Sequence, residues 1–524
     1  MSIATCLSAH LVGLSAEVIT VEVDISNGLH AVSIVGLGDR AVEEAKDRIS
    51  AAIKNSSFVS PKQKNQKVVI SLAPADVRKE GPAFDLPMAI AYLAAAGDLR
   101  FDARGTLFLG ELSLEGRVRR IAGLLPILVQ AKKNGFTRAF VPSENSEEAG
   151  LSSGIVIYPV SSLRELAEHL SDTRAIVPLV SGRYEPPAAG TSASAYGDMR
   201  TIRGNGAAKR GLTIAAAGAH NVLMFGPPGT GKTMLAQSFP SILPALSREE
   251  AIEVTGIHSA ARALETGLIS HPPFRAPHHT ASYPAIVGGG SFPRPGEITL
   301  AHRGVLFLDE LPEFDRDVLE ALRQPLEERE ITISRAKGTV TFPAQCILIA
   351  SMNPCPCGKP KDNGCICDRG ILRAYRRRVS GPIMDRLDLW INVNKVDYEK
   401  LAALIAPSEP SAAIQDRVIK ARAIQRARFE RFGIDKRCNG EMSAGDIEKM
   451  IEMTPIARRT LAVAARKLSL SGRSFHRMIK VARTIADLAG IETIGQPHIL
   501  EALQYRQKMD DIEPPRSPNQ RDQK

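Results

Sequence analysis

The sequence predicts an α/β protein in which a nucleotide-binding domain lies between a smaller α/β domain and a helical domain. Three observations lead to this prediction. Strand-like apolar runs alternate with helical patterns over the first 180 residues. A glycine-rich motif at Gly226–Thr233 lies between an apolar run and a helical pattern. From residue 397 onward, apolar residues recur at helical spacing.

Composition and length are those of a globular protein with several cores. The chain has 524 residues, 44% of them hydrophobic and 24% charged, and one core rarely grows that large. Its N-terminus lacks a basic segment followed by a long apolar one, and no 18-residue apolar run occurs. We therefore expect a cytoplasmic protein with no membrane partner.

The domain boundaries follow from shifts in composition and periodicity. Residues 1–180 form the first α/β domain, 181–199 a linker rich in Pro, Gly, Ala and Ser, 200–396 the nucleotide-binding domain, 397–508 a helical lid and 509–524 a disordered tail. Strands are expected at Val18–Ile25, Val68–Leu72, Leu107–Leu109, Ala139–Val141 and Ile155–Tyr158. Helices are expected at Leu86–Ala96, Leu124–Asn134, Met234–Phe239, Ala457–Leu468 and Phe475–Leu488.

The glycine-rich motif fits the phosphate-binding loop G-x-x-x-x-G-K-[ST]. Glycines let backbone N–H groups turn toward the phosphates, and the following helix adds positive potential. Lys232 would reach the β- and γ-phosphates, and Thr233 would bind Mg²⁺. The alternative is a plain glycine-rich turn. The motif predicts ATP and Mg²⁺ as cofactors, bound by Gly226, Pro227, Pro228, Gly229, Thr230, Gly231, Lys232 and Thr233.

Two further apolar runs end in polar side chains, as strands of an open α/β sheet do at a ligand site. Gly304–Leu308 leads into Asp309 and Glu310. We expect Asp309 to hold Mg²⁺ and Glu310 to act as the general base that polarises the attacking water; the alternative is a strand ending in a solvated acidic loop. A third run ends at Asn353, whose amide could orient that water or sense the γ-phosphate.

Four of the seven cysteines fall in one short segment directly after Asn353. Four thiolates at such spacing could close a tetrahedral structural zinc site. The pairs are C-x-C rather than the commoner C-x-x-C, and a redox-labile loop or unliganded thiols are the alternatives. The expected ligands are Cys355, Cys357, Cys365 and Cys367.

The formal net charge of +10 favours an anionic partner. One basic cluster comprises Arg369, Arg373, Arg376, Arg377 and Arg378. A second lies between Glu452 and Asp487, with no intervening acid, and comprises Arg458, Arg459, Arg466, Lys467, Arg473, Arg477, Lys480 and Arg483. Both clusters fit DNA contact or, alternatively, solvated helix faces.

The ordered series of phosphate loop, Asp-Glu strand and strand-end Asn resembles the AAA+ ATPases. Leu308–Glu328, Phe274–Thr280 and Asn353–Gly358 further resemble the magnesium-chelatase-like AAA+ proteins of the ComM/YifB type. This resemblance implies a homo-oligomeric ring, because such proteins complete each site with an arginine finger from a neighbour. The ring size expected from the family is a hexamer. Arg386, in the segment Ser380–Asp388, matches that finger.

The resemblance also assigns two less specific features. Arg473 matches the second sensor arginine of the lid, with Arg477 as the other choice. His278 and His279 lie in an insert rich in Pro and Gly, which the family would place near the ring pore. Metal binding or a simple structural turn are the other interpretations of this histidine pair.

The first domain resembles the proteolytic domain of Lon, a ribosomal-protein-S5-like α/β fold. The resemblance rests on Lys79–Pro87, Gly116–Ile127 and Pro142–Asn145. At the positions of the Lon serine and lysine this chain has Ala83 and Leu125. Neither side chain can serve as nucleophile or base, so we expect an inactive domain kept for assembly or DNA contact.

Together the resemblances imply an ATP-driven DNA motor. For the ComM/YifB type this is an ATPase with helicase activity that promotes branch migration of recombination intermediates during natural transformation, with single-stranded or branched DNA as partner. The residues themselves support an ATP-driven ring with basic surfaces. Two alternatives remain open: a magnesium-chelatase motor subunit that serves Mg²⁺ insertion into porphyrin, and an ATPase that remodels proteins.

Overall fold

A computed structural model describes most of the chain. The described residues are 2–36, 38–75, 79, 81–180, 187, 195–264, 267–290, 293–335, 338–358, 365–394, 409–468 and 470–506. The expected tail at 509–524 and most of the expected linker at 181–199 lie outside them. Among the described helices, none combines the length and apolar character needed to cross a bilayer.

The N-terminal region is built on a mixed seven-stranded sheet in the order β3-β4-β2-β1-β5-β8-β9. β2 pairs antiparallel with β1 and β4, and the remaining neighbours are parallel. The strands are β1 Ser2–Val12, β2 Ser15–Asn27, β3 Ala31–Val35, β4 Gln66–Ala73, β5 Thr106–Phe108, β6 Glu111–Leu112, β7 Val118–Arg119, β8 Arg138–Pro142 and β9 Val156–Val160, with β6 and β7 forming a separate hairpin.

Five α-helices lie in the described part of this region. They are α1 Arg40–Asn55, α2 Asp85–Ala95, α3 Leu124–Lys133, α4 Ser146–Ala149 and α5 Leu163–Leu170. α1 begins where the side chain of Asp39 accepts a hydrogen bond from the backbone N–H of Val42. α2 packs against β1 and β2, and every residue of it except Ala94 is buried. The five expected strands and the helices α2 and α3 are confirmed.

The central region contains a fully parallel five-stranded sheet in the order β11-β14-β17-β10-β18. β10, β14 and β17 are buried along their whole length, as strands covered by helices on both faces must be. The strands are β10 Val222–Phe225, β11 Phe274–Arg275, β12 Gly288–Gly289, β13 Arg294–Pro295, β14 Val305–Leu308, β15 Glu330–Arg335, β16 Gly338–Pro343, β17 Ile347–Met352 and β18 Leu389–Asn392; β12–β13 and β15–β16 are hairpins.

Helices cover this sheet and continue into the C-terminal region. The central helices are α6 Gly206–Gly218, α7 Lys232–Ser238, α8 Arg248–Ala260, α9 Tyr283–Val287, α10 Glu297–Leu300, α11 Arg316–Ala321, α12 Arg323–Glu328, α13 Arg369–Arg377 and α14 Gly381–Met384. The C-terminal helices are α15 Ser411–Arg431, α16 Ala444–Met450, α17 Pro455–Leu468, α18 Gly472–Leu488 and α19 Gln496–Gln504.

The C-terminal helices share one apolar core with the parallel sheet. Ile414 of α15 and Ile485 of α18 belong to the same buried cluster as Val222 of β10 and Ile391 of β18. The lid is therefore packed directly against the strand that leads into the phosphate loop.

The N-terminal region docks on the central region through α3, which packs against α8. The backbone N–H of Gly123 donates to the Ser259 hydroxyl over 2.9 Å, and that hydroxyl donates to the buried carboxylate of Glu148. Leu125, at the position of the Lon lysine, is fully buried on α3. The helix that would carry the protease base is thus part of the docking surface.

A buried ionic network fixes the C-terminal helices. Arg483 is 1% exposed and donates its Nε to Asp487 over 3.1 Å. Asp487 also accepts from Arg428 over 3.2 Å and from Asn439 over 2.7 Å. One carboxylate therefore pairs with two guanidinium groups in the core of the C-terminal helices, and its loss would leave buried positive charge unpaired.

We expect Asp487→Ala to destabilise the lid by about 3 to 5 kcal/mol, because Arg483 then stays buried without its counter-charge. Amide hydrogen exchange of α15 and α18 in the full-length chain measures this loss. Glu492→Gln is the control, since Glu492 is 86% exposed and its pair with Arg431 spans 3.7 Å. Equal exchange rates in Asp487→Ala and the native chain would contradict the prediction.

Candidate nucleotide-binding site

The phosphate loop leaves β10 at Gly226, and its conformation requires glycine. Gly229 and Gly231 have φ values of +73° and +90°, in the region that side chains disfavour. A Cβ on Gly226 would lie 2.1 Å from the carbonyl oxygen of Val393. The Thr230 hydroxyl closes the turn by donating to the Pro227 carbonyl over 2.9 Å. The loop is therefore a folded cradle that no ordinary turn sequence could adopt.

Lys232 is the first residue of α7 and its ammonium group lies inside this cradle. Nζ is 2.7 Å from the Gly226 carbonyl oxygen, 2.9 Å from that of Pro227 and 3.1 Å from Asn353 Oδ1. Burial lowers the pKa of Lys232, while the carboxylates of Asp309 and Glu310 act in the opposite direction. A cation held by weak carbonyl partners at a helix N-terminus suits an incoming phosphate.

Asp309 lies opposite the start of α7, in a position suited to a divalent cation. Its Oδ2 accepts a hydrogen bond from the Thr233 hydroxyl over 2.9 Å, and its Oδ1 accepts one from the Ser351 hydroxyl. Carboxylate and hydroxyl oxygens are the ligands that Mg²⁺ prefers. The residues present therefore fit a Mg²⁺ ion at Thr233 and Asp309.

Ser351 is a site residue that the sequence analysis missed. The register of β14 and β17 pairs Leu308 with Ala350, which places Ser351 beside Asp309. The signal was a polar residue inside an otherwise apolar strand, two residues before the strand-end Asn353. Its hydroxyl fixes one carboxylate oxygen and leaves the other toward Thr233.

Glu310 follows Asp309 in a left-handed backbone conformation, with φ of +54°. A non-glycine residue there is strained, and such strain is typical of functional positions. The turn separates the two carboxylates: Asp309 bonds to Thr233, while the Glu310 side chain stays half exposed. The Glu310 carboxylate is therefore accessible to water.

His279 lies beside Glu310, with Nδ1 3.9 Å from Oε2, and its ring lies against that of His278 in a tilted arrangement, at a centroid distance of 4.1 Å. The strand order explains this contact, because β11 precedes the histidines and pairs in parallel with β14. No metal-binding group forms around the two histidines among the described residues. The metal interpretation of this pair is therefore unsupported.

The four cysteines converge next to the phosphate loop. The Sγ atoms of Cys355, Cys357 and Cys365 are 3.3 to 3.7 Å apart, and all four sulfurs, including that of Cys367, lie within 4.8 Å of one another. Burial and the neighbouring thiols raise the pKa of Cys355 to about 12.

The cysteine loop also touches the phosphate loop. A Cβ built on Gly358 would lie 3.2 Å from Pro228 Cγ. Cys355 follows Asn353 by two residues, and Asn353 Oδ1 accepts a hydrogen bond from Lys232. Whatever fixes the cysteine loop therefore also fixes the environment of Lys232.

The two arginines expected at the site lie at the other end of the sheet. Arg386 Nη2 is 2.6 Å and Arg473 Nη1 3.0 Å from the same Glu327 oxygen. The Arg386 carbonyl accepts from the Asn221 side chain, which precedes β10, whereas Gly226 follows it. Roughly 16 Å of extended strand separates those two ends. Neither arginine lies at the phosphate loop of its own chain.

The fallback for the second sensor, Arg477, lies in the same area, with Nη1 3.5 Å from Asp388 Oδ1. The structure thus brings together Lys232, Thr233, Asp309, Glu310 and Asn353, and it gathers Arg386, Arg473 and Arg477 elsewhere.

The two basic clusters differ in exposure. On α13, Arg369, Arg373 and Arg377 are all exposed. In the second cluster, Arg483 is buried against Asp487, and burial lowers the pKa of Lys480 to about 8. Part of the second cluster is thus an internal network rather than a DNA-facing surface, which corrects the expectation for those residues.

Three protein-family models together match most of the chain. Residues 198–401 match the model described as magnesium chelatase, subunit ChlI. Residues 21–145 match that of subunit ChlI of Mg-chelatase, and residues 408–506 match the ChlI C-terminal model.

Individual proteins give the same result over the full length. The chain is 42% identical to the competence protein ComM of Haemophilus influenzae, covering 97% of this chain and 98% of the relative. It is 40% identical to YifB of Escherichia coli, covering 97% of each chain. Lon protease of Leptospira interrogans is 25% identical over 33% of this chain and 21% of its own length. The chain therefore belongs to the magnesium chelatase ChlI family of AAA+ ATPases, as a full-length homologue of ComM and YifB.

Proposed function

We propose that this chain is the subunit of a ring-forming, ATP-hydrolysing DNA motor, a helicase that promotes branch migration of recombination intermediates. The observation that carries the proposal is the division of the site. Lys232, Asp309 and Glu310 gather at one end of the parallel sheet, and Arg386 lies at the other. Similarity to a competence protein over 97% of the chain supports the DNA task.

The geometry supports a specific division of labour in ATP hydrolysis. Loop N–H groups and Lys232 would bind the β- and γ-phosphates, and Thr233 and Asp309 would hold Mg²⁺. A bound Mg²⁺ ion neutralises charge on the phosphate oxygens. The oxygen of the attacking water would bond to the γ-phosphorus as the bond between that phosphorus and the β-phosphate oxygen breaks. Glu310 would take the proton that this water loses. Asn353 would orient that water.

The position of Arg386 supports completion of each site by a neighbour. An arginine that cannot reach its own chain's phosphate loop can still enter the loop of the next subunit in a head-to-tail ring. There its guanidinium would stabilise the charge of the transferring phosphoryl group. Arg473, which shares Glu327 with Arg386, would act from the same face. The proposed ring is a homo-hexamer, as the family resemblance implies.

The exposed face of α13 supports contact with DNA. Arg369, Arg373 and Arg377 follow one another at four-residue spacing, which places them on one helix face. Leu372 and Tyr375 bury the opposite face. No ion pair joins these three arginines to a carboxylate in the described part of the chain. Guanidinium groups with free donors suit the phosphate backbone, whatever the base sequence.

The cysteine cluster is proposed to hold a structural zinc ion. Zn–S bonds of about 2.3 Å place the sulfurs of a tetrahedral site about 3.8 Å apart, close to the separations of 3.3 to 3.7 Å in this cluster. No disulfide joins any of the seven cysteines, all of which lie in the described part of the chain. The ion would fix the loop that contacts Pro228 and carries Asn353 at its start.

Hydrolysis of ATP with and without single-stranded DNA tests the DNA motor directly. We expect stimulation by DNA and binding that weakens with salt, since phosphate contacts release counterions. Neutralising Arg369, Arg373 and Arg377 to Gln should reduce the slope of log K against log salt by about 2, at about 0.7 per phosphate contact.

The matched control for charge replaces Arg458, Arg459 and Arg466 on α17 with Gln. Absence of both stimulation and salt-sensitive binding in the native chain would point instead to a chelatase-type or protein-remodelling ATPase. A slope that changes only with the α17 variant would refute the role of α13.

Glu310→Gln should bind ATP as tightly as the native chain and lose turnover by about 100-fold or more, because the amide cannot accept the proton of the attacking water. Equilibrium binding of ATP and steady-state hydrolysis measure the two effects separately. Glu313→Gln, three residues along the same loop, is the control. Normal hydrolysis by Glu310→Gln would show that another group is the base.

The native chain should carry one zinc ion per subunit, measured by elemental analysis after purification without added metal. Cys365→Ser with Cys367→Ser should abolish that content and lower the melting temperature, because the loop loses its cross-link. Cys6→Ser is the control for loss of an isolated thiol. Zinc-free native protein that remains fully folded would rule the site out.

A further inference from the structure

Glu327 has no role in the proposed hydrolysis step, although it contacts two of the arginines assigned to that step. It lies near the end of α12, its side chain is 41% exposed, and one of its carboxylate oxygens contacts both Arg386 and Arg473. Nearby Arg477 adds to the positive potential, and these arginines together lower the pKa of Glu327, the hydrogen bond from Arg386 contributing most. A single carboxylate thus holds two guanidinium groups together.

Arg386 itself is held from two sides and retains a free donor. Nη1 donates to the Pro382 carbonyl over 2.7 Å and Nη2 bonds to Glu327, but the buried Nε–H has no partner among the described residues. Arg386 is only 5% exposed. A buried guanidinium with an unused N–H is costly, and the Pro382 carbonyl and the Glu327 carboxylate are the groups that compensate it here.

The groove beside Glu327 has the charge to accept an anion. Glu327, Arg473 and Arg477 line a groove of about 950 Å³ between the central region and the lid. Basic residues outnumber acidic ones along its wall. Nine basic residues face five acidic ones, and Arg473, Arg477 and Lys480 follow one another on α18.

We infer that Glu327 is the positioning residue that sets Arg386 and Arg473 side by side, so that both reach the phosphates bound by the neighbouring subunit. This inference rests on the proposed function, in which Arg386 acts across the subunit boundary. Arg386 and Arg473 lie 2.6 Å and 3.0 Å from the same Glu327 oxygen. Without that carboxylate, the two guanidinium groups would repel each other and separate. Glu327 does not touch the substrate; it acts through the arginines.

Glu327→Gln in the full-length chain tests the inference. We expect kcat for ATP hydrolysis to fall about 10-fold or more, because the paired arginines lose their alignment. ATP binding to Lys232 of the same chain should be unchanged, since that loop lies at the other end of the sheet. Glu327→Asp, which keeps the charge, should retain part of the rate. Glu328→Gln is the matched control, because Glu328 is the adjacent exposed carboxylate and bonds only to Gln324 in the described structure.

Mixed assemblies separate positioning from folding. Lys232→Ala chains keep an intact Arg386 face, and Glu327→Gln chains keep an intact phosphate loop. Mixing the two should restore hydrolysis above that of either alone, whereas mixing Glu327→Gln with Arg386→Ala should not. Native turnover by Glu327→Gln, loss of its own ATP binding, or no recovery with Lys232→Ala would overturn the inference.

Arg386→Ala separates the action of Arg386 across subunits from the positioning role of Glu327. If Arg386→Ala hydrolyses ATP at the native rate, the proposed action across subunits fails and the role of Glu327 fails with it. If Arg386→Ala is inactive while Glu327→Gln is fully active, only the role of Glu327 is refuted.

Discussion

Parallel pairing of β10, β14 and β17 is the constraint on which the nucleotide site depends. The three strands are buried on both faces, so their polar continuations emerge at one edge of the sheet. Lys232, Asp309 and Asn353 meet there although Asp309 follows Lys232 by 77 positions and Asn353 follows Asp309 by 44. A shift of one residue in the β14–β17 register would remove Ser351 from Asp309 and turn that carboxylate away from Thr233.

The same strands also define the opposite edge, which has a different charge. There Asn221 bridges to Arg386, and Glu327 holds that arginine beside Arg473. In the proposed function one end of the sheet would bind phosphate and carry the base, and the other end presents guanidinium groups. A molecule with these two ends is suited to head-to-tail assembly, in which each boundary makes one complete site.

Local motifs made the centre of the site predictable from the sequence. Lys232, Thr233, Asp309, Glu310 and Asn353 were all identified because residue type and strand position restrict the chemistry, and the structure brings them together. β1 and β3 were missed, since β1 mixes Ser, Thr and His with apolar residues and β3 is short. The contacts of Ser351, His279 and Glu327 depend on register and on tertiary packing, which no single segment encodes. The same limit explains why the basic run after Glu452 suggested a surface although Arg483 is buried.

In the proposed ring each ATP site is completed by Arg386 of a neighbouring subunit. The most direct measurement is ATP hydrolysis by an equimolar mixture of Lys232→Ala and Arg386→Ala chains, compared with each variant alone. We predict that each variant alone is inactive and that the mixture recovers a substantial fraction of native turnover, because some boundaries then pair an intact loop with an intact arginine. An inactive mixture of chains that still assemble, or full activity of Arg386→Ala alone, would contradict it.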